Sequence, residues 1–217
     1  IIRIKSRMTM NVLSRKSPAF CLNSSVRRHW AFSTAVATVM LVIVSISSHH
    51  ASAEVNNCRN PGPELNNFRP HHPPRPSPAH PFYDADDHER TIAEYKGQGV
   101  VLNFWATWCA PCIKEMPSLM IMKNILKGDG VTVLALSQDR KGAKKVIPFF
   151  KKQGLQDLEV LIDKKGKLGR KSGVLGLPVT ILIDADGMER GRVVGVAEWD
   201  TPEVIDFVRR CIGPGNS

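Results

Sequence analysis

Two cysteines separated by two residues, directly behind a run of apolar β-formers, constrain this 217-residue chain more than any other feature. Val100–Ala106 (VVLNFWA) is continuous and rich in branched and aromatic side chains, the pattern of a strand buried on both faces. Trp108-Cys109-Ala110-Pro111-Cys112 comes at once after it, leaving no room for a long loop. Cys109 to Lys127 then carries Leu119, Met122 and Leu126 at helical spacing, with a bend or interruption expected at Pro117. A strand that turns into a helix through C-x-x-C reads as a redox dithiol. A plain structural disulfide is the simplest competing reading. Zinc needs two more ligands, and Cys58 and Cys211 could supply them only as an isolated pair; no histidine occurs after His88. For the same reason a Cys–His nucleophilic pair cannot be built within this part of the chain.

The placement assigns roles. Unpaired backbone N–H groups and the helix dipole at a helix start favour an anion, so Cys109 is expected as an exposed thiolate with a depressed pKa. It would attack a substrate disulfide, and Cys112, one turn deeper, would resolve the mixed disulfide. Pro111 shapes the turn, and Trp108, Ala110 and Pro111 stand where a substrate would lie.

The surrounding pattern is that of an α/β domain. Phe82–Gly97 holds a turn at Asp84–Asp87 and a short mixed segment. Val131–Leu136 reads as a second buried strand and Lys144–Gln153 as an amphipathic helix with Val146, Ile147, Phe149 and Phe150 apolar. Glu159–Asp163 is a candidate short strand. Val179–Asp184 and Arg192–Ala197 read as a hairpin around Asp184-Ala185-Asp186-Gly187. The last helix spans Thr201–Cys211, with Thr201 as N-cap and Pro202 at the first helical position. This order predicts a mixed central sheet flanked by helices.

Two segments precede that domain. The net charge of +10 is uneven: residues 1–53 hold seven Lys/Arg and no acidic residue, leaving 23 basic against 20 acidic in the remainder. A surplus of three, read as interspersed, excludes a phosphate-tracking surface and hence a nucleic-acid partner. Within residues 1–53, basic residues precede the uncharged run Trp30–Ile46, and Ala51-Ser52-Ala53 lies behind it. These are the parts of a secretory signal peptide, and the run is also just long enough for an uncleaved membrane anchor. Either reading places the remainder of the chain outside the cytoplasm. Glu54–Pro81 holds eight of the fifteen prolines together with His71, His72 and His80, and reads as an extended, solvated linker. The domain proper is then expected over residues 82–213, acting as a monomer without metal or cofactor.

Val100–Leu119 (VVLNFWATWCAPCIKEMPSL) resembles the active-site segment of thioredoxin-fold proteins, most closely the exported or membrane-anchored TlpA/ResA group of thiol–disulfide oxidoreductases. The resemblance runs from about Pro81 to Ile212 and includes Gly176-Leu177-Pro178-Val179-Thr180 and Gly195-Val196-Ala197-Glu198-Trp199. It implies a thioredoxin-like fold with an N-terminal extension and an inserted helix–strand unit. It implies that Pro178 is the cis-proline facing the dithiol, with Leu177 presenting backbone to a substrate peptide. It also implies that Glu115, three residues after Cys112 on one helix face, accepts the proton of the resolving thiol. Asn103 departs from the buried aspartate of thioredoxins, which raises the weight on Glu115. Trp105 and Trp108 match aromatics beside the site.

Ala110-Pro111 adds no cation to stabilise the thiolate, which places the couple nearer the reducing end of the scale, about −270 mV, than the oxidising end, about −120 mV. The expected function is therefore a periplasmic reductant of protein disulfides, fed by a membrane thiol donor. Apocytochromes and copper-site proteins are the candidate clients the resemblance implies. The alternative is an exported copper(I) chaperone on the same fold; a peroxidase is a lesser option, because peroxide-reducing relatives set their cysteine in a different context. Removal of residues 1–53 would leave four cysteines, so a structural disulfide between Cys58 and Cys211 is one expectation, provided the fold brings them within reach; two independent free thiols, or pairing of Cys58 between chains, are the alternatives.

Overall fold

A computed structural model describes residues 58–215; the expected leader, its apolar run and residues 54–57 lie outside the described residues. Eight strands form one mixed sheet: β1 (Phe68–Pro76), β2 (Phe82–Tyr83), β3 (Glu89–Arg90), β4 (Gly99–Trp105), β5 (Val131–Ser137), β6 (Leu161–Ile162), β7 (Val179–Ile183) and β8 (Met188–Val194). Their spatial order is β1-β8-β7-β4-β5-β6-β2-β3. The helices are α1 (Ala110–Leu126), α2 (Ala143–Gln153), α3 (Lys167–Lys171) and α4 (Pro202–Ile212).

β4 sits between a parallel neighbour, β5, and an antiparallel one, β7, and every one of its residues is buried. Its side chains alternate between two cores, as a pleated strand requires. Val101 and Trp105 join the core beneath α1, α2 and α4, whereas Val100, Leu102 and Phe104 join the opposite core with Leu168 of α3. Trp105 stacks on Phe150 of α2 at 5.4 Å between ring centroids. The expected α/β architecture, helices covering both faces of a mixed sheet, is what the chain builds.

Three local readings change. α1 continues through Pro117 rather than stopping there; the proline forgoes one backbone bond, and Met116 and Leu119 on either side are fully buried. Pro148 is likewise inside α2, where Val146 and Phe150 are buried but Ile147 faces solvent. The second hairpin strand is Met188–Val194 rather than Arg192–Ala197, because its charged residues Glu189 and Arg190 are buried with partners. The turn between β7 and β8 is closed by Asp184, whose Oδ1 accepts from the Asp186 and Met188 amides, with Gly187 at φ +82°. Thr201 caps α4 as expected, accepting from the Val204 amide.

The largest departure is the proline-rich segment. Instead of a solvated linker up to Pro81, Phe68–Pro76 is a strand paired antiparallel to β8, with a register shift between Pro70 and Arg75. An edge strand needs backbone bonds on one side only, so it tolerates prolines that a central strand could not. Three contacts hold it. Phe68 is buried edge-on against Phe207 of α4, at 5.1 Å between centroids, and Gly191 of β8 leaves the space: a Cβ there would lie 2.5 Å from the Phe68 ring. Asn67 donates to the Val194 and Val196 carbonyls. Glu189, 2% exposed, accepts from His71 (3.0 Å), from Arg75 (3.1 and 3.2 Å) and from Arg192 (2.7 and 2.8 Å). Burial holds the His71 imidazole below its ordinary pKa. His71 is thus a hydrogen-bond partner of Glu189 in the sheet rather than part of a solvated linker.

Cys58 and Cys211 are joined, with Cα atoms 4.4 Å apart. Both are buried, so the start of the described chain is tied to the last turn of α4. The packed domain therefore begins no later than Cys58.

Two outcomes test this arrangement. The disulfide closes a loop across a sequence separation of 153, for which chain entropy gives about 5 kcal/mol. The Cys58→Ser/Cys211→Ser double variant should lose about 2–5 kcal/mol in urea unfolding, and non-reducing peptide mapping should recover a Cys58–Cys211 pair; freely alkylated Cys211 in oxidised protein would contradict the staple. Glu189→Gln strands Arg192 and should cost roughly 2–4 kcal/mol. Amide exchange should accelerate in β1 while β4 keeps its protection, and uniform acceleration would show that Glu189 does not secure the edge strand.

Candidate functional site: a dithiol at a helix start over a buried carboxylate

β4 ends at Trp105, and five residues later the chain starts α1. Cys109 is the N-cap of that helix, in extended conformation, and its sulfur accepts from the Cys112 amide at 3.3 Å. The Ile113 amide bonds the Cys109 carbonyl, so the first turn is closed around the cysteine pair. Cys109 and Cys112 are disulfide-bonded, their Cα atoms 5.3 Å apart. The expectation that Cys109 is openly exposed is corrected: it is 6% exposed and Cys112 0%. Both belong to the core cluster beneath α1, because the strand that delivers them is itself buried. The asymmetry remains, and Cys109 is the residue of the pair that reaches solvent. Trp108 is 69% exposed, and Ala110 and Pro111 are exposed beside it. Trp105 is instead a core residue.

The Leu177–Pro178 peptide bond is cis, and Pro178 accepts from the Gly195 amide. Leu177 is half-buried and packs against both cores, including the one that holds Cys109.

Glu115 is not a surface glutamate. It is 2% exposed and its carboxylate accepts three bonds: from Asn103 Nδ2 (2.9 Å), from the Ala197 amide (3.2 Å) and from Trp199 Nε1 (3.2 Å). Asn103 lies on the face of β4 that carries Val101 and Trp105, under α1, and it also donates to Thr180 of β7, its register partner. Ser118 completes the connection, donating to the Glu115 carbonyl and accepting from the Trp199 amide. Burial pushes the Glu115 pKa up to about 7, and the bonds from Asn103, Ala197 and Trp199 oppose that rise without cancelling it. A carboxyl group that changes protonation near neutrality, one helical turn from Cys112, suits a proton acceptor.

Sequence reasoning missed Thr180, Trp199 and Asp139 as parts of the site. Thr180 is the one polar residue of the apolar strand Val179–Ile183, a signal that could have been read. Trp199 lies in a segment singled out by resemblance, but its bond to Glu115 spans 84 residues and has no local signature. Asp139, 6% exposed, anchors the approach to the dithiol: Thr107 donates to it through its amide (2.8 Å) and hydroxyl (2.6 Å), and Ser137 through its hydroxyl (2.8 Å).

Known proteins resemble this chain in sequence and in fold. The thiol-disulfide oxidoreductase ResA of Bacillus thuringiensis subsp. konkukian is 39% identical over 104 residues, covering 48% of this chain and 59% of that protein. ResA of Geobacillus kaustophilus is 36% identical over 112 residues, covering 52% of this chain and 63% of that protein. The match thus spans about three-fifths of the relatives' length. Among solved structures, a thiol:disulfide interchange protein of the thioredoxin family from Chlorobium tepidum superposes with a TM-score of 0.52 at 25% identity, covering 63% of this chain and 97% of that one. The fold is thioredoxin-like. Residues 75–190, more than half of the chain, match the AhpC/TSA family model, so this protein belongs to the AhpC/TSA family.

Proposed function

We infer that the protein is a thiol–disulfide oxidoreductase that reduces protein disulfides in the periplasm. The observation that carries this reading is the Cys109–Cys112 pair at the start of α1, with the buried Glu115 carboxyl one turn away. In the reduced protein, the Cys109 thiolate is favoured by the helix start and attacks one sulfur of a client disulfide, releasing a client thiolate. Cys112 then gives its proton to Glu115 and attacks the Cys109 sulfur. The second client thiolate leaves, and the protein is left with the Cys109–Cys112 disulfide. A client strand lies along the Leu177–Pro178 backbone beside Trp108, Ala110 and Pro111. Thiols from a membrane donor return the pair to the reduced state. The names of the relatives and the export-like residues 1–53 support the compartment and the chemistry. Cytochrome and copper-site cysteines are the client class, since they must stay reduced where oxidants prevail.

Reduced protein should therefore accelerate insulin reduction. Cys109→Ser should abolish the activity, and Cys112→Ser should trap a mixed disulfide through Cys109. Turnover of peroxide without insulin reduction, tight copper(I) binding without insulin reduction, or alkylation of Cys112 ahead of Cys109, would reject this reading.

Glu115 has two separable signatures. Glu115→Gln should slow resolution roughly 10- to 100-fold near pH 7 and remove an inflection near that pH. Unchanged profiles from pH 5 to 9 would exclude the proton-acceptor role. The second signature is thermodynamic. The folded pKa, about 7, lies above the ordinary 4.5, so the native state holds a proton that the unfolded chain has lost between those values. Stability of the oxidised protein should then fall as pH rises from about 4.5 to 7, by on the order of 3 kcal/mol. The Gln variant should lack most of that slope.

A further inference from the structure

The positive charge of the domain is segregated. Between Arg140 and Lys171 there are eleven Lys/Arg and three acidic residues, which leaves the rest of residues 54–217 with 12 basic against 17 acidic. The reading of interspersed charge is thus corrected: a small net surplus conceals a basic stretch of sequence in an otherwise acidic domain. Part of that stretch adjoins the dithiol. Arg140, Lys141 and Lys145 line, with Gln138, Asp139 and the exposed Trp108, an open groove of about 500 Å³. Lys144 continues the surface into a neighbouring groove with Arg140, Lys141, Lys164 and Lys165.

Three observations separate this from an ordinary solvated run. Arg140, Lys141, Lys144 and Lys145 are all exposed, and none forms an ion pair among the described residues. The nearby acids are committed elsewhere. Asp139 takes its bonds from Thr107 and Ser137, Asp84 is paired with His88, and Asp87 is paired with Lys164. The loop is also held in place relative to the cysteines. The Asp139 side chain grips Thr107, two residues before Cys109, the Gln138 amide bonds the Trp105 carbonyl, and the Gly142 amide bonds the Asp139 carbonyl. Four cations without an ion pair among the described residues are thereby carried on a segment anchored beside the redox centre.

We propose that this rim is a docking surface for acidic polypeptide clients, selecting disulfides flanked by Asp and Glu. The proposal rests on the oxidoreductase reading above. Trp108, exposed one residue before Cys109, borders the groove, and a polypeptide segment lying there meets three positive charges, with Lys144 a fourth in the neighbouring groove. Attraction there raises the encounter rate for acidic segments and lowers it for basic ones. A client of this kind gains mainly in association rate, and the gain fades with salt because the cations are exposed.

The test is single-turnover oxidation of the pre-reduced full chain by disulfide-bridged peptides with Asp/Glu, Asn/Gln or Lys flanks, in low salt and in about 0.5 M salt. The uncharged 2-hydroxyethyl disulfide serves as reference substrate. At low salt the acidic peptide should react roughly tenfold or more faster than the basic one. That ratio should collapse in high salt and in the Arg140→Gln/Lys141→Gln/Lys144→Gln/Lys145→Gln variant, which should keep its rate with 2-hydroxyethyl disulfide. Equal rates for all peptides with normal turnover of the reference overturn the docking surface and leave the oxidoreductase reading intact. Retention on anionic vesicles without peptide discrimination assigns the face to a membrane and equally overturns it. No reaction with 2-hydroxyethyl disulfide removes the activity and the proposal with it. Should the variant misfold, the salt and peptide dependence of the unaltered chain decides alone.

Discussion

Everything at the site depends on β4 being buried on both faces. A strand between a parallel and an antiparallel neighbour has no free edge, so the chain can leave only at the end of the sheet. There it starts α1, and the orphan N–H groups of that helix meet Cys109. Trp105 at the strand's last position is locked against Phe150, which fixes the point of departure. The cysteines are consequently held by the core rather than by a loop, which explains why even the accessible member of the pair is only 6% exposed.

The same burial creates the electrostatic tension at Glu115. A carboxylate taken out of water resists ionisation, and three donors from β4 and from the segment after β8 offset that resistance only in part. The result is a group balanced near neutral pH. Asn103 is essential to that balance. An aspartate at the same place would put a second negative charge against Glu115, and the pair would then share one proton. An amide instead supplies donors to Glu115 and Thr180 together.

Charge is organised at both ends of the sheet by different means. At the β1 edge, Glu189 gathers two arginines and the His71 imidazole and makes a proline-rich segment part of the domain. Near the dithiol, the Asp139 carboxylate is occupied by backbone and hydroxyl donors, so the cations of the loop after β5 and of the first turn of α2 are left to solvent. The first arrangement stabilises the fold, and the second leaves charge available for a partner.

Local signals in the sequence determined the dithiol, the apolar strand before it, the cap at Thr201, the turn at Asp184–Gly187 and the α/β order. Each of these depends on spacing, propensity or cap chemistry within a few residues. The burial of Glu115 and the cis bond at Pro178 were legible only through resemblance, because helix periodicity places Glu115 near Cys112 but says nothing of its burial. Only the tertiary structure decided that Phe68–Pro76 is a strand, that Cys58 reaches Cys211 across 153 residues, that Trp199 and Asn103 meet at Glu115, and that the positive charge gathers beside Trp108. These are pairings between residues far apart in the chain. Their free energy comes from desolvated partners that sequence separation conceals, and a proline-rich or charged stretch reads as solvated until the element that covers or pairs with it is in place.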